Sequence, residues 1–275
     1  MKIYDFSEQF MLYAEKWMQE SADDFKTPDA MEAALPSVYL QFLNTEADWL
    51  DGKTPGAYFQ TFEPDELVAY LCESENADIS APEPLTDRIT ELGDACESAL
   101  IAVVKNSDNC DSLRATAINL LREIASPHAA AVCIDLIEES DELREVAVDL
   151  LSELGRTEIE TILNRLENTS ESTKEAFLDV LCNFPGDERI YTYTVQQFLT
   201  QSDKRAMYAS FLAKLNDERA IEPLTKSLTL SDLDYLDYIE IRNAIEMLGG
   251  EVECDRDFAG DPYYEALGAL ETDKE

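Results

Sequence analysis

DELREVAVDLLSELG, residues 141–155, decides the fold, because its plan occurs four times along the chain. DSLRATAINLLREIA (111–125), ESTKEAFLDVLCNFP (171–185) and SDKRAMYASFLAKLN (202–216) follow it. Each opens on an acidic or hydroxyl residue with a basic residue three positions on: Asp111 and Arg114, Asp141 and Arg144, Glu171 and Lys174, Ser202 and Arg205. A paired apolar step follows, Leu120-Leu121, Leu150-Leu151, Val180-Leu181 or Phe211-Leu212. Each closes on an apolar anchor, Ile124, Leu154, Phe184 or Leu215, at spacings of 30, 30 and 31 residues. Leu92 and Leu248 extend the series at spacings of 32 and 33.

Each anchor is followed by a turn and a second apolar segment. LNDERAIEPLTKSL (215–228) is the clearest, and FPGDERIYTYTVQQFL (184–199) shares its Asp-Glu-Arg. LGRTEIETILNRLE and IASPHAAAVCIDLI are looser versions, and LGDACESALIAVV opens the series at 92. A helical hairpin of ~30 residues cannot bury its apolar stripe alone, so stacked neighbours must supply the core. Leu120, Leu121, Leu150, Leu151, Leu181 and Leu212 are each expected to contribute about 1.5–3 kcal/mol by burial. Residues 111, 141, 171 and 202 are predicted helix N-caps. Arg114, Arg144, Lys174 and Arg205 form a column of cations, predicted to pair neighbouring caps across repeats.

These segments resemble short HEAT-like repeats of the phycobiliprotein-lyase-related type, over roughly residues 85–250 with a broken unit to about 271. The resemblance implies an all-α fold: an α-solenoid of about five to six HEAT-like hairpins (81–271) behind an irregular helical N-terminal cap (1–80), with a frayed tail at 272–275. The family includes scaffolds, enzymes and nucleic-acid binders, so it does not fix a function. Deoxyhypusine hydroxylase of this repeat class uses paired His-Glu motifs for iron. Here His128, the single histidine, is followed by Ala129, so that activity is not expected. The HEAT-like alkylpurine DNA glycosylases use a basic groove, and the charge here has the opposite sign. No feature marks a bilin site.

Residues 1–80 do not follow the period. FSEQFMLYAEKWMQES (6–21) is amphipathic. Pro28 opens a second predicted helix through MEAALPSVYLQFL, with a kink expected at Pro36. PDELVAYLCES (64–74) forms a third, and NADISAPEPLTD (76–87) reads as a joint. Between the second and third lies NTEADWLDGKTPGAYF (44–59), whose Trp and two aromatics pin the connection onto the helices or line a ligand pocket. Pinning is the expectation, because a terminal repeat must hide its open apolar end.

The chain carries 59 acidic against 21 basic residues, a net charge of −38. The excess is spread out: −14 over residues 1–85, −17 over 86–250 and −7 over the last 25. Such a surface repels phosphate backbones and anionic membranes and attracts basic partners. Solubility or a salty environment explains the charge equally well. Six cysteines form no CxxC pair and sit mainly among apolar residues, as buried reduced thiols do. MKIYDFSEQF lacks a signal peptide's apolar region, and no run approaches the ~20 apolar residues of a membrane span, so a cytoplasmic location is expected. Asp255, Asp257, Asp261 and Glu265 depart from the spacing of a calcium loop. No phosphate-binding glycine motif occurs, and no cofactor or metal is expected. Among so many carboxylates, acidic pairs mean little.

Tyrosines gather late: Tyr191, Tyr193, Tyr208, Tyr235, Tyr238, Tyr263 and Tyr264. Aligning the two Asp-Glu-Arg turns puts Tyr191 opposite Ile221 in a core column and Tyr193 opposite Pro223, nearer the surface. Tyr208 falls opposite Ala147 and Ala117, in the core. Exposed Tyr beside carboxylates suits a basic, extended peptide. The reading is a non-catalytic protein-interaction scaffold. A basic protein or peptide would lie on a concave face lined by the second helices. Its contacts would be Tyr193, Glu218, Glu222, Tyr235, Asp237, Tyr238 and Tyr264. The alternatives are a lyase-like modifying enzyme and an acidic DNA mimic.

Overall fold

A computed structural model describes residues 1–21, 24–252 and 256–266. Those residues are helical throughout, with turns and no strand. In chain order the helices are α1 (Phe6–Glu20), α2 (Pro28–Glu32), α3 (Leu35–Leu43), α4 (Pro64–Asn76), α5 (Glu83–Leu92), α6 (Asp94–Lys105), α7 (Asp111–Glu123) and α8 (Ala129–Glu139). They continue as α9 (Arg144–Leu154), α10 (Ile159–Leu166), α11 (Glu171–Leu181), α12 (Glu188–Thr200), α13 (Arg205–Lys214), α14 (Ile221–Ser227) and α15 (Tyr235–Met247). The chain divides into two compact units, Met1–Val132 and Cys133–Glu275, with the division inside α8. Among the described residues no helix is long and apolar enough to cross a membrane.

In the first unit, Asp5 caps α1 by accepting from Glu8 N at 2.9 Å. The expected single helix through Pro36 is two helices, because Pro36 stands in the first turn of α3 after a break at Ala33–Ala34. Proline lacks an amide hydrogen, which costs nothing in a first turn. Pro64 starts α4 in the same way, and Glu66 reaches back to accept from Glu63 N.

The aromatic connection packs as a pin. Short 3-10 turns at Asp48–Leu50 and Pro55–Thr61 bring Trp49 edge-on to Phe6, with centroids 5.1 Å apart, and Phe59 edge-on to Tyr70 at 4.9 Å. Leu50, Phe59 and Tyr70 are fully buried. The Tyr70 hydroxyl accepts from Tyr4 N at 3.0 Å, tying the extended segment before α1 to α4. A Cβ on Gly56 would come within 2.9 Å of the Leu43 carbonyl oxygen, so the connection can lie against α3 only because residue 56 has no side chain.

At the end of the same unit Ser126 Oγ accepts from Ala129 N at 3.1 Å and donates to Glu97 Oε1 at 2.5 Å. His128 is exposed and brings Nδ1 to 3.1 Å from Glu97 Oε2. Glu97 stands between Ser126 and His128, so the three side chains hold the start of α8.

In the second unit, α9 packs on α11, α12 on α13, and α13 on α15. The paired steps at 150–151, 180–181 and 211–212 are all buried. Among the anchors Phe184, Leu215 and Leu248 are buried, whereas Leu154 is half-buried at its helix end. In the first unit Leu120 and Leu121 are buried, and Leu92 and Ile124 are half-buried.

The predicted caps are displaced. Cys110 precedes α7, Leu143 precedes α9, Ser170 caps α11 by accepting from Thr173 N, and Lys204 precedes α13. Asp111 and Glu171 are first-turn residues, while Asp141 and Ser202 lie in the turn before the helix. The cation column also differs from expectation, because three of its four members pair with the acid at the start of their own helix. Arg114 meets Asp111 at 3.6 Å, Arg144 meets Asp141, and Lys174 meets Glu171 at 2.6 Å. Arg114 and Arg144 also turn their Nε onto the carbonyl oxygens of Val104 and Ile137, closing the preceding helix's end. Ser202 offers no carboxylate, so Arg205 goes forward to Asp232 at 2.9 Å.

Candidate functional site

Two-pronged pairing across successive segments runs through the second helices. Asp187 and Asp217 accept from the backbone N–H two residues on, at 2.9 and 3.0 Å, and also from the guanidinium of the same Arg. That double hold fixes Arg189 and Arg219 so that each forks to the acid about one period earlier. Arg189 reaches Glu160 at 2.5 and 3.0 Å, and Arg219 reaches Glu188 at 2.9 and 3.1 Å. The Arg189 guanidinium holds the Asp187 carboxyl below the usual carboxylate range, and Arg219 does the same to Asp217. Arg219 also lies over the Tyr191 ring, 4.2 Å from its centroid. Tyr191 is therefore half-buried beneath a guanidinium rather than in a core column, and its alignment partner Ile221 is half-buried too.

A hollow of about 580 Å³ in the second unit lies on the first helices rather than the second. α9, α11 and α13 line it. Val148, Ala176, Met207 and Phe211 form an apolar floor. The rim carries the carboxylates of Asp141, Glu145, Asp149, Glu175 and Asp179 and the guanidinium of Arg144, with Lys204 and Lys214 reaching two of the carboxylates. Helical geometry explains the rim. Asp141, Glu145 and Asp149 recur every four residues, as do Glu175 and Asp179, and residues four apart share a helix face. That spacing was the signal available in the sequence. Asp141 is paired with Arg144, Glu175 with Lys204 and Asp179 with Lys214. Glu145 is exposed and forms no ion pair among the described residues.

The seven predicted contact residues lie in different surroundings. Tyr193 lines a hollow of about 370 Å³ with Leu163, Glu167 and Arg189, between α10 and α12. Glu222 lines another of about 370 Å³ with Leu199, Pro223 and Leu230, and is paired to Lys226 at 2.5 Å. Glu218 is exposed in the turn before α14. Asp237 is half-buried and accepts from Ala206 N at 3.1 Å, which caps α13, and burial raises its carboxyl above the usual range. Tyr238 is buried, its ring 5.0 Å from Phe258, so it belongs to the core and not to a contact surface.

Tyr235 and Tyr264 join the same aromatic group, 4.9 Å apart edge to face. Asp261 organises it by accepting from the backbone of Tyr235, Tyr263 and Tyr264 at 2.9–3.1 Å. Rings in direct contact leave no room for a cation between them. Asp255 of the rejected calcium reading lies outside the described residues, and among the described ones no group of three or more potential ligands gathers.

Burial raises the thiols of Cys133 and Cys182 to about 12, which keeps them protonated at neutral pH. Cys110 is exposed, its thiol 3.3 Å from Glu75 Oε1. Comparison of the chain with protein-family models and with curated proteins finds no match.

Proposed function

We propose that this chain is a non-catalytic, cytoplasmic interaction scaffold, built as a HEAT-like α-solenoid, that holds a basic segment of a partner protein. The observation that carries the reading is the groove on α9, α11 and α13: an apolar floor beneath five carboxylates, of which Asp141, Glu175 and Asp179 are paired to Arg144, Lys204 and Lys214 and Glu145 stands exposed. Long cationic side chains suit it, because a Lys or Arg stem lies on apolar surface while its head meets a carboxylate. The net charge of −38 supports the same partner class and weighs against polyanions. Solenoid order is supported by the packing of α9 on α11 and of α13 on α15, and by the Arg189 and Arg219 forks at near-repeat spacing.

The test is fluorescence anisotropy with a labelled lysine-rich peptide on the full chain. Binding is expected to weaken steeply as salt rises. Glu145→Gln with Asp149→Asn is expected to weaken it several-fold, about what two exposed charges contribute. Salt-independent binding, or affinity unchanged in that double variant, refutes the groove as the docking site.

A further inference from the structure

Besides Arg144 on its rim, the groove meets a second cation of the chain at its Phe211 end. Lys214, the last residue of α13, extends to the Asp179 carboxylate on α11. Its Nζ lies 5.8 Å from the centroid of the Phe211 ring in the groove floor. A carboxylate and a ring face therefore converge on one ammonium, the first by Coulombic attraction and the second through the ring's quadrupole. The Lys214 side chain remains 38 % exposed, so it has open water beside it.

Charge complementarity fixes the occupant. A second copy of a chain with net charge −38 is repelled, as are DNA and anionic lipid. The apolar floor calls for more than a string of charges, since Val148 and Met207 are half-buried and a partner's apolar side chain would cover them. Resting on the groove reading above, we infer that Phe211 and Asp179 form its cation subsite and that Lys214 occupies the subsite as a built-in competitor. The partner is a basic segment whose lysine or arginine displaces Lys214 while a neighbouring apolar side chain settles on Val148 and Met207.

The test measures binding of a short labelled peptide of alternating lysine and leucine to the full chain by anisotropy. Lys214→Met is expected to tighten binding about two- to fivefold, the range that one exposed ion pair spans. Lys214→Gln repeats the measurement without a new apolar side chain and is expected to act in the same direction. Lys16→Met removes one cation from α1, where Lys16 makes only an exposed contact with Glu20, and is expected to leave affinity unchanged. A peptide of lysine alone is expected to bind more weakly than the mixed one. Unchanged or weaker binding in both Lys214 variants overturns the competitor, as does equal tightening by Lys16→Met, which would mark bulk charge. In either case a persistent loss in Glu145→Gln leaves the groove itself standing. If Glu145→Gln also has no effect, or DNA or self-association takes the peptide's place, groove and subsite fall together.

Discussion

The two units meet the same need by different means. The first covers helix faces with rings that fit one place each: Phe6, Trp49, Tyr58, Phe59 and Tyr70 touch one another at centroid distances of 4.9–6.5 Å. The second buries apolar pairs at regular intervals and ties its second helices with Arg–carboxylate forks on the exterior. Aromatic contacts add about 0.5–1.5 kcal/mol per pair beyond the area they bury. Fully solvated ion pairs add little. Stability in the first unit is thus concentrated in a few irreplaceable side chains. In the second it is distributed over many similar ones, which leaves exterior charges available for other use.

The sharpest way to break this comparison is Phe59→Ala. Phe59 is buried to 1 % exposure and touches Phe6, Tyr58, Phe62 and Tyr70. Truncation is expected to cost about 3–5 kcal/mol in urea unfolding. A loss below 1 kcal/mol would mean the rings collapse around the gap and are not individually required.

A smaller effect is expected at the start of α8. Ser126→Ala removes the acceptor for Ala129 N and the donor to Glu97, at about 0.5–2 kcal/mol. The Ser126 hydroxyl, then His128, hold the Glu97 carboxyl below its ordinary value. A carboxyl depressed on folding stabilises fully above its unfolded value of about 4.3 and loses that contribution as pH falls through the folded value. The advantage of wild type over Glu97→Gln is therefore expected to be flat near neutrality and to shrink in acid. An advantage that grows on acidification would reverse the assigned sign.

What the sequence disclosed follows the same division. The buried steps of the second unit were legible because an apolar pair recurring about every 30 residues has few other uses, and Tyr208 was legible from the small residues it aligns with. The pin at 44–59 was legible in kind, since three rings clustered on a connection between helices have a face to cover, but their partners were not. Helix starts were misplaced by one or two residues because an acid in the first turn and an acid at the cap look alike in one dimension. Tyr238 and Asp237 read as contact residues because nothing local says that Phe258 covers one and Ala206 N engages the other. The groove was overlooked although its four-residue acidic spacing was present, because that spacing means something only once the facing helix is known to bring Phe211 beneath it.

The smallest expected effect probes the forks. Arg219 is held by Asp217 and Glu188 and covers Tyr191. All these charges face water, so Arg219→Gln and Glu188→Gln are each expected to shift the denaturation midpoint less than Ser126→Ala does. A double-mutant cycle separates the pair from its surroundings: the coupling is expected to be favourable at low salt and to fade as the Debye length shortens to a few ångströms. Arg219→Lys keeps the charge but loses the two-pronged geometry and most of the stacking on Tyr191, so it is expected to behave more like Gln than like Arg. Full rescue by lysine would show that charge alone joins the segments. Spacing-independent attraction would then suffice, and the fixed guanidinium geometry imposed by Asp217 would be incidental to the order of the helices.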